Sequence, residues 1–169
     1  MNISMYNASI PVMIRMLGNL ETILDKAIAH ANARKIDDAA FVEARLFPDM
    51  FTFARQIRVA TDMSKGAGAR LAGVEIPKFE DNEKTLPELK ARLRKAIDFL
   101  KTLTPAQIDG TEGKAISLTV GGNALNFTGL DYLNAWVLPN FYFHAATAYN
   151  LLRHGGVEIG KMDFLGKVQ

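Results

Sequence analysis

An all-α fold, with four long helices and a small β-hairpin before the last of them, is what this 169-residue sequence predicts. Three observations carry the prediction. Apolar residues recur at helical spacing over most of the chain, glycine and proline punctuate those repeats, and Lys114 to Thr128 alone switches to alternation. The length suits one domain with a substantial core, so residues 1–169 are read as a single domain.

The first helix is capped by Ser4 or Ser9, with Pro11 tolerated in an opening turn because proline has no amide hydrogen to donate there. Ile10, Met13, Ile14, Leu17, Leu20 and Ala27 place its apolar face, and the helix should run to about Ala33. Asp37 or Asp38 restarts a short helical turn. The second long helix then extends from about Phe47 to Ala72, with Pro48 and Asp49 at its start. Its last part is rich in small residues, Ser64, Gly66, Ala67, Gly68 and Ala69, which predicts that another helix packs closely there.

Gly73 stops that helix, and Val74 to Lys84, with Pro77 and four acidic residues, shows neither period. Such a long connection is a crossover, which makes the third helix parallel to the second. Thr85 and Glu88 form a capping box for the third helix, whose apolar stripe is Leu86, Leu89, Leu93, Ile97, Leu100 and Leu103. Its other side carries Lys90, Arg92, Arg94, Lys95 and Lys101, which reads as a solvated face. Thr104, Pro105 and Gln107 make one more short turn. Ile116, Leu118 and Val120 alternate before Gly121, Gly122 and Asn123, and Leu125 and Phe127 alternate after them, which is a hairpin pattern.

The fourth helix, Thr128 to Gly156, organises the rest. No Asp, Glu, Lys or Arg falls between Asp131 and Arg153, so the helix is apolar nearly all round and is expected to be covered on every side. Pro139 should kink it against the carbonyl of Ala135. Asn140, Tyr142 and His144 follow the kink, and their polar groups are expected to face protein or a pocket. In the tail, Met162, Phe164 and Leu165 supply apolar surface to dock on this bundle or on a twin.

Composition excludes several classes. A formal charge of +2 and a pI near 8.9 imply no polyanion partner, so no nucleic-acid binding is expected. With no cysteine there is no disulfide, thiolate metal site or cysteine nucleophile, and a cytoplasmic location is expected. The uncharged run from Tyr132 to Leu152 contains Asn134, Pro139, Asn140, His144 and Asn150, so it reads as a core helix and not a membrane span. Phosphate loops, paired-histidine metalloprotease spacing, nucleophile elbows and zinc-finger spacing are absent from the sequence.

Four long helices with this crossover, the hairpin, and a last helix ending Asn150-Leu-Leu-Arg-His-Gly-Gly-Val157 resemble the DinB/YfiT-like superfamily. Within it, Phe47-Pro-Asp-Met-Phe51, Gly73-Val-Glu-Ile-Pro-Lys-Phe-Glu-Asp-Asn82 and Pro139-Asn-Phe-Tyr-Phe-His144 resemble an uncharacterised bacterial domain family. The resemblance implies a bundle of up-down-down-up order, often dimeric, with a pocket between helices. It also implies a divalent metal, nickel or zinc, held by one histidine early in the second helix and two histidines one turn apart in the fourth.

Here His144 falls on the second of the fourth-helix positions and Asn140 on the first, while Asp49 to Gln56 contains no histidine. One imidazole with an amide and a carboxylate is a poor transition-metal set, so no metal or other cofactor is expected. The pocket candidates are Asp49, Gln56, Trp136, Asn140, Tyr142 and His144, with no catalytic residue assigned. The leading expectation is a homodimeric bundle with a degenerate metal site, either binding a small molecule or structural. Its rival is a divalent-metal-dependent hydrolase or thiol transferase using Asp49, Asn140 and His144.

Overall fold

The computed structural model describes residues 3–167, and its architecture is mainly helical with one two-stranded antiparallel sheet. In order, α1 is Met5–Arg34, α2 Asp38–Val42, α3 Phe53–Ala72, α4 Leu86–Lys101 and α5 Pro105–Ile108. Strands β1 (Ile116–Val120) and β2 (Asn123–Phe127) precede α6 (Gly129–Asp131), a π-helical turn (Tyr132–Val137), α7 (Leu138–His154) and α8 (Lys161–Leu165).

Ser4 is the cap of α1, accepting from Asn7 N at 3.3 Å, so Pro11 stands in the second turn instead of the opening one. Asn7 and Pro11 are both exposed, which leaves the carbonyl that Pro11 cannot serve within reach of water. The second long helix begins at Phe53, not near Phe47. Thr52 supplies the cap, its hydroxyl accepting from Arg55 N at 3.3 Å, whereas Pro48 and Asp49 belong to a turn closed by Met50 N donating to Phe47 O at 3.0 Å.

The small residues late in α3 do admit a neighbour. A Cβ at Gly68 would come within 2.6 Å of Leu103 and 2.9 Å of Leu100, so α4 and the residues after it lie directly on this backbone. Ile10 of α1 is also there, at 3.4 Å, while His30 and Phe41 approach Gly156 and Gly155 at the far end of α7. The start of α1 therefore meets the ends of α3 and α4, and the end of α1 meets the end of α7. Leu17, Leu20, Leu24, Phe53, Ile57, Leu71, Leu93, Leu133 and Phe141 fill the core between them.

Gly121 and Gly122 take φ of 56° and 83°, the left-handed pair that a two-residue hairpin turn requires, and they set the register Ile116 to Phe127 and Val120 to Asn123. Phe127 leans on Tyr132 and Trp136, with ring centroids 6.0 Å away in each case, and this joins the hairpin to the last helix. Just ahead of β1, Lys114 Nζ donates at 2.9 Å to the carbonyls of both Arg70 and Leu71, filling acceptors that the end of α3 leaves open.

Two further expectations are corrected. The last helix is not covered on every side: Phe141, His144, Ala145, Ala148 and Leu152 are buried, but Tyr142 is 37% and Phe143 56% exposed. The neighbours α3 and α1 cover two of its flanks, and absence of charge did not mean burial all round. Nor is Arg92 part of a solvated face. It is 3% exposed and bonded to Thr61 Oγ1 (2.8 Å), Glu80 O (3.0 Å), Glu83 (2.8 Å) and Asp62 (3.0 Å), clamping the crossover onto α3 and α4.

The tail docks on its own chain. Phe164 meets the Tyr149 ring at 5.8 Å, Asn19 and Arg15 donate to the carbonyls of Phe164 and Leu165 at 2.9 Å, and Met162 stays 65% exposed. No helix among the described residues is long and apolar enough to cross a membrane.

Candidate functional site

Where α3 faces α7, two polar side chains meet inside an apolar wall. Gln56 is 1% exposed and His144 8%, and Gln56 Oε1 lies 2.6 Å from His144 Nδ1. Thr52 starts α3 so that Gln56 falls in its first turn, on the buried flank with Phe53 and Ile57. The amide has one sensible orientation, because its Nε2 donates to Phe51 O at 3.3 Å. Its oxygen can only accept, so Nδ1 of the imidazole is the donor. Burial pushes the His144 pKa below its ordinary 6.5, which favours the neutral ring at pH 7.

Aromatic rings surround the pair. Phe51 lies parallel to the imidazole, with centroids 6.2 Å apart and planes within 9°, while Phe143 stands perpendicular to it with centroids 5.2 Å apart. The Arg55 guanidinium sits 3.8 Å from the Phe51 ring centroid. Phe51 and Arg55 escaped the sequence reading. The available signal was an aromatic residue just before a threonine cap, which puts its ring beside the first helical turn.

The other candidates do not join this pair. Asp49 is exposed in the turn ahead of α3. Asn140 spends its amide inside its own helix, donating to Trp136 O at 2.7 Å just where the π-helical turn gives way to α7. Pro139 is the second residue of α7, so the break is taken up by a widened turn before it. Trp136 packs on Phe127, and its Nε1 is sealed from solvent without a protein partner. Tyr142 lines a groove with Val12, Arg15, Met16, Asn19 and Phe164, against α1 and not α3. Burial raises the Tyr142 pKa above its ordinary 10.0, against a smaller opposing pull from Arg15.

These residues do not fit the divalent ion that the superfamily resemblance implied. His144 can offer an ion only the single lone pair on Nε2, because Nδ1 donates to Gln56 Oε1, while Asp49 lies exposed in the turn ahead of α3 and Asn140 brings only a weak neutral amide. Among the described residues no group of three histidine or carboxylate side chains is placed to share an ion.

Helix pairing, crossover and hairpin are those of a DinB-like protein. The chain belongs to the family described as "Domain of unknown function (DUF1993)", whose model matches residues 5–165. It is also similar to a solved DinB family member from Shewanella denitrificans, at 36% identity and a TM-score of 0.86, over 96% of this chain and 92% of that one. No curated protein matches it.

Proposed function

We propose that this protein is a DinB-like four-helix bundle of up-down-down-up order in which the metal site has been replaced by a neutral hydrogen-bonded clasp. The observation that carries the reading is the 2.6 Å bond between Gln56 and His144, which uses the one imidazole of the site to join α3 to α7. The helix order is supported by the shared ends described above. A clasp of this kind leaves two roles, holding the two helices together and presenting a small polar spot to a small molecule.

Metal loading tests it. Protein incubated with nickel, zinc or manganese and then desalted should retain far less than one ion per chain, and its melting temperature should not rise. A tight equimolar ion that is lost in His144→Ala would reverse the reading in favour of a metal-dependent hydrolase or thiol transferase.

A cytoplasmic homodimer completes the proposal. Its support is the exposed apolar surface of Tyr142, Phe143, Met162 and Leu165, together with a sequence free of cysteine. Light scattering should give twice the 18.6 kDa chain mass at micromolar concentration, and a monomer mass would remove the dimer.

A further inference from the structure

The clasp has a chemical consequence at its outer end. Because Nδ1 donates to Gln56, the neutral His144 ring carries its lone pair on Nε2. Among the described residues no protein group bonds Nε2. Nor is Nε2 sealed, since Trp136 Nε1 is the one unpartnered side-chain polar atom among them that solvent does not reach. The core pair thus exposes a single oriented acceptor.

Its surroundings restrict what can use it. Carboxylates and phosphate dianions have no proton to donate and would oppose the lone pair. The Arg55 guanidinium stacked on Phe51 already places one positive charge beside these rings, which weighs against a second. The rings next to the imidazole are those of Phe51 and Phe143, and the latter is 56% exposed. Flat apolar surface is what such rings accept.

We infer that His144 Nε2 is the acceptor of a binding site for a small neutral aromatic alcohol, whose hydroxyl donates to Nε2 while its ring lies against Phe143 and Phe51. Gln56 is then a positioning residue, since it fixes which ring nitrogen is free. This inference rests on the metal-free clasp proposed above.

Phenol is the probe, with anisole as the control that keeps the ring and lacks the donor. Long-range proton–nitrogen NMR on the full chain reads both nitrogens of His144. The unliganded protein should show the Nδ1–H tautomer, phenol should shift the Nε2 resonance, and anisole should leave it in place. Gln56→Leu, if folded by circular dichroism, should mix the tautomers and weaken phenol by up to about tenfold, as the fraction of rings with a free Nε2 falls. The phenol and anisole comparison stands on the wild-type protein alone if that variant fails to fold. No phenol shift, or an equal shift with anisole, in a protein that keeps the Nδ1–H tautomer would overturn the binding site and leave the clasp standing. An Nε2–H tautomer would overturn the acceptor, since Gln56 would then donate to Nδ1, and would leave the clasp standing in reverse.

Discussion

Arg92→Ala is expected to lower the unfolding free energy by about 3 kcal/mol, the lower end of the range for removing one partner of a buried charge pair. The guanidinium is almost wholly enclosed, yet its carboxylate partners differ in exposure. Asp81 and Asp62 side chains are 62% and 39% exposed and can return to water, and Asp62 also keeps Lys65 at 3.1 Å. Glu83 is only 10% exposed, and it retains Arg58 at 2.8 Å. What is left stranded is chiefly half of the Glu83 carboxylate and the Glu80 carbonyl, since the Thr61 hydroxyl still donates to Arg58 O at 2.7 Å, which places the cost at the low end. Arg94→Ala is the contrast. That side chain is 52% exposed beside Glu21, so its loss should cost under about 1 kcal/mol.

The same clamp sets a pH dependence. Burial pushes the Glu83 pKa up, but hydrogen bonds from Arg92 and Arg58 outweigh it, and the net value lies below the ordinary 4.5. A carboxyl depressed on folding contributes stability above its unfolded value, and that contribution is lost as pH falls through the folded one. Urea melts from pH 7 down through 4.5 and below should show the wild type losing more than Arg92→Ala. Equal midpoints for Arg92→Ala and Arg94→Ala at pH 7 would show that the clamp contributes no more than an exposed pair.

Arg92 also marks where sequence reasoning stops. Its spacing with Lys95 on α4 fits a wet face, and only the crossover folding back over it buries Arg92 while Lys95 stays exposed. Periodicity describes one helix against one neighbour and is blind to a loop that covers the other side. The open flank of α7 is the converse case. A run without charge reads as buried, but Tyr142 and Phe143 can lie at the surface because apolar side chains are tolerated there. Capping chemistry was legible where it is local, as with Thr85 and Glu88, Thr128 and Asp131, and Gly73. It misled at Pro48 and Asp49 because Thr52, a few residues on, gives the better cap.

For the candidate site, His144 was legible as a polar residue in an apolar run, and Gln56 only as a pocket candidate on the second long helix. The bond between them was not, since it joins positions 88 apart in sequence. The π-helical turn was equally hidden. Proline at position 139 predicts a break, but whether the helix answers by bending or by widening depends on what the turn packs against. Here Tyr132 is anchored by Arg70, whose guanidinium donates to its hydroxyl at 3.0 Å, and Phe127 covers its ring.

The second large effect is expected at Gly129, and its sign runs against helix propensity. Alanine is better than glycine inside a helix by about 0.5–1 kcal/mol. At Gly18 nothing lies within 4 Å of the added Cβ, so Gly18→Ala should stabilise α1 by about that amount. At Gly129 the new Cβ would overlap the carbonyl oxygen of Thr111 and stand 3.0 Å from its carbon. That carbonyl is held, because it accepts from Lys114 N at 3.1 Å, and the next residue, Glu112, accepts from Leu130 N at 3.0 Å. Moving it would also disturb Lys114, whose ammonium caps α3. Relief must therefore come from backbone, not from a flexible side-chain end, and the cost should reach about 3 kcal/mol, the top of the usual overpacking range. Thermal and urea unfolding of the two glycine-to-alanine variants should move in opposite directions from the wild type. If Gly129→Ala proved neutral or stabilising, the close seat of the last helix under the loop before β1 would be wrong.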